Sequence, residues 1–389
     1  MLNQKETSMK RNAIVLAVVL LGIIILIGAQ AIAVAQRNQP KDVRYTVTEV
    51  GVLPGCTSSY LPILGSINNG GFVAGYSYNG PLDGSSIDFY LTSRAFIGDH
   101  RGVVTLLPTP NGYAGANAFG LNDRNQVFGM ANKLDDNGNL LVSPVVWDQY
   151  RNPTLLENLT TPYYDVWAMS NNGDVVGDTC LDPDCAVVVP VYWHRGRIAQ
   201  LPLPDGAVNG YATAINDSGV IVGQVDYGSA PPAGTGEYHM YAWIPRGGHY
   251  VGSDLGDNSA LYVIPNAINN LGQIAGGMWD GVSDRAFVWT DGQLKDLGPL
   301  PGGKYSWTWS INIGGQVLGQ SDRPGQSDTA VVWQDDTIID LNDVVPPGTP
   351  TLVTPGGIND VGQIAVDSYS RHYTTTRAFI LTPVADDSH

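Results

Sequence analysis

The sequence predicts an all-β fold: a seven-bladed β-propeller of four-stranded blades, closed by pairing of its N- and C-terminal strands and preceded by one N-terminal hydrophobic helix. Three observations lead there. A short phrase recurs seven times, as INNGGFVAG (Ile67 to Gly75), LNDRNQVFG (Leu121 to Gly129), MSNNGDVVG (Met169 to Gly177), INDSGVIVG (Ile215 to Gly223), INNLGQIAG (Ile268 to Gly276), INIGGQVLG (Ile311 to Gly319) and INDVGQIAV (Ile358 to Val366). A period in the range of 43 to 54 residues belongs to propeller blades and helical arrays. The length inside each repeat is nearly constant, and the two chain ends are complementary fragments of one repeat.

The strands follow from the cleanest copy, Arg285 to Ser321. Four short segments are bounded by Gly, Pro, Asn or Asp: a first around Phe287 and Trp289, a second from Leu294 to Leu297, a third from Trp307 to Ile311 and a fourth from Gln316 to Leu318. The third and fourth join through Asn-Ile-Gly-Gly, a hairpin turn in which Asn satisfies turn amides and Gly accepts positive φ. From Ala95 to Gly129, Pro144 to Gly177, Pro190 to Gly223, Ala242 to Gly276, Ala286 to Gly319 and Ala330 to Val366 the separation is always 33 to 36 residues. The connection from each such end to the next start varies from 10 to 20 residues, so insertions gather on one rim.

Ring closure is read from the ends. Thr48 to Gly55 (TEVGVLPG) matches the second strand at Lys295 to Gly302, and its missing first strand falls near Gln39. Arg377 to Pro383 (RAFILTP) is a first strand without followers. Joining the two completes a seventh blade and removes open sheet edges. Ser66, Gly120, Ala168, Ala214, Ala267, Ser310 and Gly357, all small, mark a close approach of backbone. Trp147, Trp193, Trp289 and Trp333 share one position and read as core.

Targeting and composition bound the partners. Residues 1–36 read as a signal peptide or signal anchor, with an apolar run from Ala13 to Ala29 and a cleavage-type Ala33-Val34-Ala35. Residues 37–43 are a linker, 44–383 the propeller and 384–389 a polar tail. The domain is therefore expected outside the cytoplasm, secreted, periplasmic or at the cell surface, touching a membrane only through the N-terminal helix (residues 13–35) and otherwise monomeric. A net charge of −16 argues against nucleic acid, because phosphate contacts need clustered Lys and Arg. Cys180 and Cys185 are expected to pair in an oxidising compartment, leaving Cys56 over.

The combination of Arg285-Ala286-Phe287 and Asp296-Leu297-Gly298-Pro299-Leu300-Pro301 with the I-N-x-x-G-Q-V-x-G phrase resembles the HAF-repeat family of extracellular, mostly bacterial, repeat proteins. The His of the family triplet is Arg here, at Arg94, Arg285 and Arg377. The resemblance covers about residues 44 to 383 and implies secretion and a repeat architecture, and it carries over no catalytic residue.

No H-E-x-x-H, G-x-S-x-G or phosphate-cradling loop occurs. No cofactor is expected. Calcium has two candidate loops, Asp135 to Asn139 and Asp178 with Asp182 and Asp184, for which a hairpin turn and a solvated acidic loop are the plainer readings. The favoured function is a non-catalytic binding or scaffold module that takes a carbohydrate or protein ligand at one rim. The candidate contacts are Asp88, Tyr90, Tyr227, Tyr238 and His239 in the long connections. Trp307 joins them from a third-strand position that varies among Ile63, Asn117, Asp165, Tyr211, Ile264 and Thr354. The alternatives are an exported hydrolase or lyase with carboxylates over the central channel, and a purely structural surface repeat.

Overall fold

The computed structural model describes residues 45–80, 87–159, 164–182, 184–229, 236–256, 262–279, 281–369 and 375–384. The expected N-terminal helix, the linker and nearly all of the tail lie outside them. The described chain forms 28 strands in seven four-stranded antiparallel sheets, with one short helix, α1 (Ile87–Thr92), between two strands of the first complete blade. A representative blade is β22 (Ser306–Ile311), β23 (Val317–Arg323), β24 (Gln326–Gln334) and β25 (Thr337–Asp340), ordered from the central axis outward. The blade thus starts at the third strand of the sequence repeat, and each repeat contributes to two neighbouring blades.

One blade is built from both ends of the chain. Its strands are β26 (Leu352–Ile358), β27 (Ile364–Tyr369), β28 (Thr376–Pro383) and, outermost, β1 (Tyr45–Val50), with Val47 opposite Leu381 and Val50 opposite Ala378. The strand sought near Gln39 is therefore β28 itself. Tyr45 to Gly75 is not one sheet, however: β2 (Ser58–Tyr60) and β3 (Val73–Tyr78) begin the next blade. The chain turns away between them because each outermost strand must hand over to the innermost strand of the following blade.

The repeated phrase has a physical reason at every position. In the turn after β22, the Asn312 amide oxygen accepts from the Gln316 backbone N–H at 2.9 Å, and its nitrogen donates to Gln316 Oε1 at 2.7 Å. Gly315 beside it sits at φ 75°, where Gly costs nothing. The same nitrogen donates to the Asn359 carbonyl of the next blade at 3.0 Å. Asn68, Asn122, Asn216, Asn269 and Asn359 repeat that inter-blade bond to the next turn. Where Ser170 replaces Asn, Asn172 Nδ2 reaches the Asp217 carbonyl instead, at 2.9 Å.

The Gly that ends the phrase has a separate cause. Six innermost strands carry a β-bulge, at Phe119, Trp167, Thr213, Asn266, Trp309 and Gly356. In five of these six the residue two before the bulge turns its carbonyl onto the phrase-ending Gly, so a Cβ on Gly223 would lie 1.8 Å from the Tyr211 oxygen and one on Gly177 1.8 Å from the Asp165 oxygen. The last copy has Val366 there, and its strand β26 escapes by shifting register a second time.

The Trp row corrects one alignment. Trp147, Trp193 and Trp333 are buried, and Trp289 is partly so. Ile221 pairs with Trp243 as Ile274 pairs with Trp289, so Trp243 belongs to the row and the strand start is Met240, not Ala242. The extra length lies after the Trp: the hairpin of this blade runs on to Arg246 opposite His249, whereas its counterpart turns one residue after Trp289, at Thr290 opposite Gln293. Four of these indoles donate to a carbonyl after an outermost strand: Trp147 to Pro108, Trp193 to Glu157, Trp243 to Pro202 and Trp333 to Gly298. That satisfies the one polar atom of a core side chain.

Two outcomes test this frame. Gly223→Ala should destabilise the protein by about 1–3 kcal/mol in urea unfolding, because the Cβ must displace a bulge carbonyl; an unchanged midpoint would refute the close approach. A second chain of bonds runs from each turn's next backbone N–H to the following side chain, through Asn69, Asp123, Asn171, Asp217 and Asn270, and from Ile313 through Asp360 back to Asn69. It breaks after Asn270, where Ile313 offers no acceptor. Ile313→Asn should close it and raise stability by about 0.5–1.5 kcal/mol in the same measurement.

Candidate functional site

The two ends of the central channel differ in kind. The turns just described line a small polar funnel of about 210 Å³ at one end. Its carboxylates are committed: Asp123 Oδ2 accepts from Asn69 and Asn171, and Asp217 Oδ2 from Asn171 and Asn270. The innermost strands run from the other end toward these turns, and their first halves carry the residues that vary.

There lies an aromatic cavity of about 520 Å³. Tyr211 from β14 (Asn209–Ile215), Ile264 and Tyr262 from β18 (Tyr262–Ile268) and Trp307 from β22 occupy strand positions facing it, with Ile63 and Leu64 completing the circuit. Its floor is made by bulge residues, Trp167 from β10 (Tyr164–Met169), Thr213, Asn266 and Trp309. Tyr238, from β16 (Gly236–Arg246), meets Tyr262 edge to face with centroids 5.0 Å apart. Gly277 lets the Trp307 ring lie against the neighbouring strand: a Cβ there would come within 2.3 Å of the indole.

The polar groups in this wall are few. Gln224 donates to the Val263 carbonyl at 2.7 Å and Asn266 to that of Thr308 at 2.8 Å, while the Thr213 hydroxyl donates to the Pro265 carbonyl. Trp307 Nε1 is buried without a partner. Asp178, from β11 (Val175–Cys180), is 6% exposed and accepts from Trp167 Nε1 at 2.7 Å. Burial, then the charge of Asp165, pushes its carboxyl up to about 7, against the pull of the Trp167 bond. Asp165 is its cross-strand partner, also raised by burial, and lines a second cavity of about 430 Å³ with Tyr60, Tyr76, Tyr90 and Asn117.

The sequence candidates divide accordingly. Tyr238 and Trp307 line the aromatic cavity and Tyr90 the second one. Asp88 is exposed in the first turn of α1. Tyr227 and His239 stack at 4.9 Å outside both cavities; His239 Nδ1 lies 2.6 Å from Asp254 Oδ2 and Nε2 3.3 Å from Glu237 Oε1. Burial pulls the His239 pKa down, but the bonds and charges of Asp254 and Glu237 outweigh it and raise the imidazole. The variable third-strand position pointed at the wall, through Tyr211, Ile264 and Trp307. Trp167 and Trp309 were missed, because a bulge breaks the alternation by which facing is read from sequence, and Asp178 was singled out only for a calcium loop.

Cys180 and Cys185 are bonded to each other. In the two calcium candidates Asp135 and Asp182 cap their own turns, while Asp178 lies in β11 and accepts from Trp167. Asp135 accepts from the Asn137 and Asn139 backbone, and Asp182 from Asp184, Ala186 and Val187. Among the described residues no group of three His, Cys, Asp or Glu could hold a metal, and no helix is long and apolar enough to cross a membrane.

No family model matches the chain, and no curated protein does. Solved structures do. The β-propeller domain of the Trilobed protease from Pyrococcus furiosus, described as having an open velcro topology, superposes with TM-score 0.54 at 10% identity, over 86% of this chain and all of that one. A structure from a study of two prolyl endopeptidases gives TM-score 0.52 at 13% identity, over 85% of this chain and 49% of that one. An oligogalacturonate lyase from Vibrio parahaemolyticus reaches 0.47 at 9% identity, over 87% and 97%. At such identities the likeness is one of fold.

The site also predicts a pH dependence. Asp178 binds its proton more tightly folded than unfolded, so its contribution is present at low pH and is lost as pH rises through about 7. Asp165, also raised, acts in the same direction. Wild-type stability should therefore fall between about pH 5 and pH 8.5, and Asp178→Asn should flatten the fall and gain roughly 1–4 kcal/mol at the upper pH. Urea unfolding at both pH values checks it; parallel curves for the two proteins would refute the assignment.

Proposed function

We propose that this chain is an exported, non-catalytic binding propeller of HAF-like repeats, taking its ligand in the aromatic mouth of the channel. The ligand is a carbohydrate or part of a protein, bound by a monomer without a cofactor. The observation that carries the reading is the cavity itself: six aromatic rings around about 520 Å³, on a wall whose residues vary between repeats. A few polar groups in a mostly apolar concavity are the ordinary composition of a binding site. A purely structural repeat would have no use for such a cavity. Export rests on the apolar run Ala13 to Ala29, with which the Cys180–Cys185 bond is compatible.

A second reading has one observation behind it. Asp165 and Asp178 are paired carboxyls on the channel wall, and paired carboxyls with displaced titrations serve acid–base hydrolysis. One experiment separates the two. The segment from residue 44 to residue 389 is screened on a glycan and peptide array beside general hydrolase and lyase assays. The double variant Tyr211→Ala/Trp307→Ala should lose at least about tenfold in affinity for whatever the wild type retains. Turnover that Asp165→Asn or Asp178→Asn abolishes would replace the binding reading. Affinity unchanged in the double variant but lost in Asp88→Ala/Tyr227→Ala would move the site to the outer loops.

A further inference from the structure

We propose that the aromatic cavity is a site for an alkylammonium cation, with Asp178 as its counter-charge and the Tyr211, Tyr262 and Trp307 rings as its walls. This rests on the reading of the cavity as the binding site and names the chemistry of its ligand.

The wall offers what a cation needs and little that other ligands need. One N–H of Gln224, one of Asn266 and the Thr213 hydroxyl are spent on backbone carbonyls, and the Trp167 N–H on Asp178. Trp309 Nε1 is turned to Gln320 Oε1, at 3.4 Å. What else lines the space is chiefly aromatic, the rings of Tyr211, Tyr238, Tyr262 and Trp307 with their negative faces and phenol hydroxyls, together with one carboxyl. Cations sit over such faces, and are held more strongly when water is excluded. Among the described residues no Lys, Arg or His lines the cavity, so an anionic ligand would find no counter-charge there. A sugar would find stacking surface but would need donors and acceptors spread around its edge.

Asp178 ties this site to pH. The groups near it are Asp165 on the paired strand and Tyr211 on the neighbouring blade; Asp226, Tyr238 and Tyr262 lie beyond Tyr211. All are acidic or neutral. An arriving cation supplies the opposite charge that the unliganded wall lacks, so it favours the ionised carboxyl and binding releases a proton. Affinity should therefore rise with pH through the neutral range.

The test is a titration of intrinsic tryptophan fluorescence with choline chloride and with tetramethylammonium chloride, at matched ionic strength against sodium chloride. The neutral tert-butyl analogue of choline serves as the uncharged control. Saturable quenching is expected from both cations, at least about tenfold tighter at pH 8.5 than at pH 5.5, and at least about tenfold weaker with the neutral analogue. Asp178→Asn, isosteric and expected to fold, should lose both the tenfold preference and the pH dependence. Equal binding of the neutral analogue, or an Asp178→Asn protein that binds as the wild type does, overturns the cation assignment while leaving a binding cavity. Failure of the cations with capture of a glycan in the same cavity also overturns it. Silence from cations, glycans and peptides alike sinks the underlying reading too.

Discussion

The buried Asn at the head of six of the seven inner hairpins is the interaction on which the rest depends. Its oxygen caps its own turn and its nitrogen crosses to the next blade's carbonyl, so one side chain fixes both a local conformation and a neighbour. Asn68, Asn122, Asn269, Asn312 and Asn359 are all at most 6% exposed, and a buried amide without partners would cost about 1–3 kcal/mol. The last link, from Asn359 to the Asn68 carbonyl at 2.9 Å, joins residues 291 apart in sequence. The ring is therefore closed twice, once by this polar circuit and once by the β1–β28 pairing at the outer edge.

Concentrating the order at one end leaves the other end free. The inner turns are held to one design, because each must match both neighbours. The first halves of the innermost strands meet no such requirement across the axis. There the side chains run from Asn117 to Trp307 in size, and the second-to-third-strand connections, which leave from the same end, absorb the insertions. The bulges help: each places an extra residue toward the axis, and Trp167 and Trp309 thereby close the floor of the cavity over the polar funnel. The frame supplies a cup whose lining can change without disturbing the ring.

How far this was legible in sequence follows from the same division. The turn phrase, the constant interval and the two complementary ends are local or translational patterns, and they yielded blade number, strand count and closure. The Met240 start was misplaced because the hairpin after Trp243 is longer than its counterparts, which hides the extra residues inside the repeat. The cavity was legible where alternation holds, at Tyr211, Ile264 and Trp307, and at Tyr238 through its long connection. Asp178 drew notice only as part of a calcium loop, since its neighbour across the sheet, its burial and its indole partner are all consequences of the fold. Aromatics in the long connections drew attention to Tyr227 and His239, whose ring contact is a pairing on the outer surface of a hairpin.

The buried carboxyls show why Asp178 stands apart. Asp340 is paired with Arg323 at 3.0 Å and caps a turn through the Asn342 N–H. Asp226 accepts from the Gly228 N–H and the Asn209 amide. Asp367 is wholly enclosed, accepts the Leu61 N–H on both oxygens, and burial raises its pKa well above the usual range, so it serves as a neutral acid in the frame. Asp178 has one indole donor and no cation, yet it opens on a cavity rather than on packed side chains. A position that only had to be filled would be served better by an apolar residue or an amide, since an uncompensated buried charge costs several kcal/mol. A carboxyl kept there at the expense of stability, within a wall of rings, is the arrangement expected where the missing charge comes from outside.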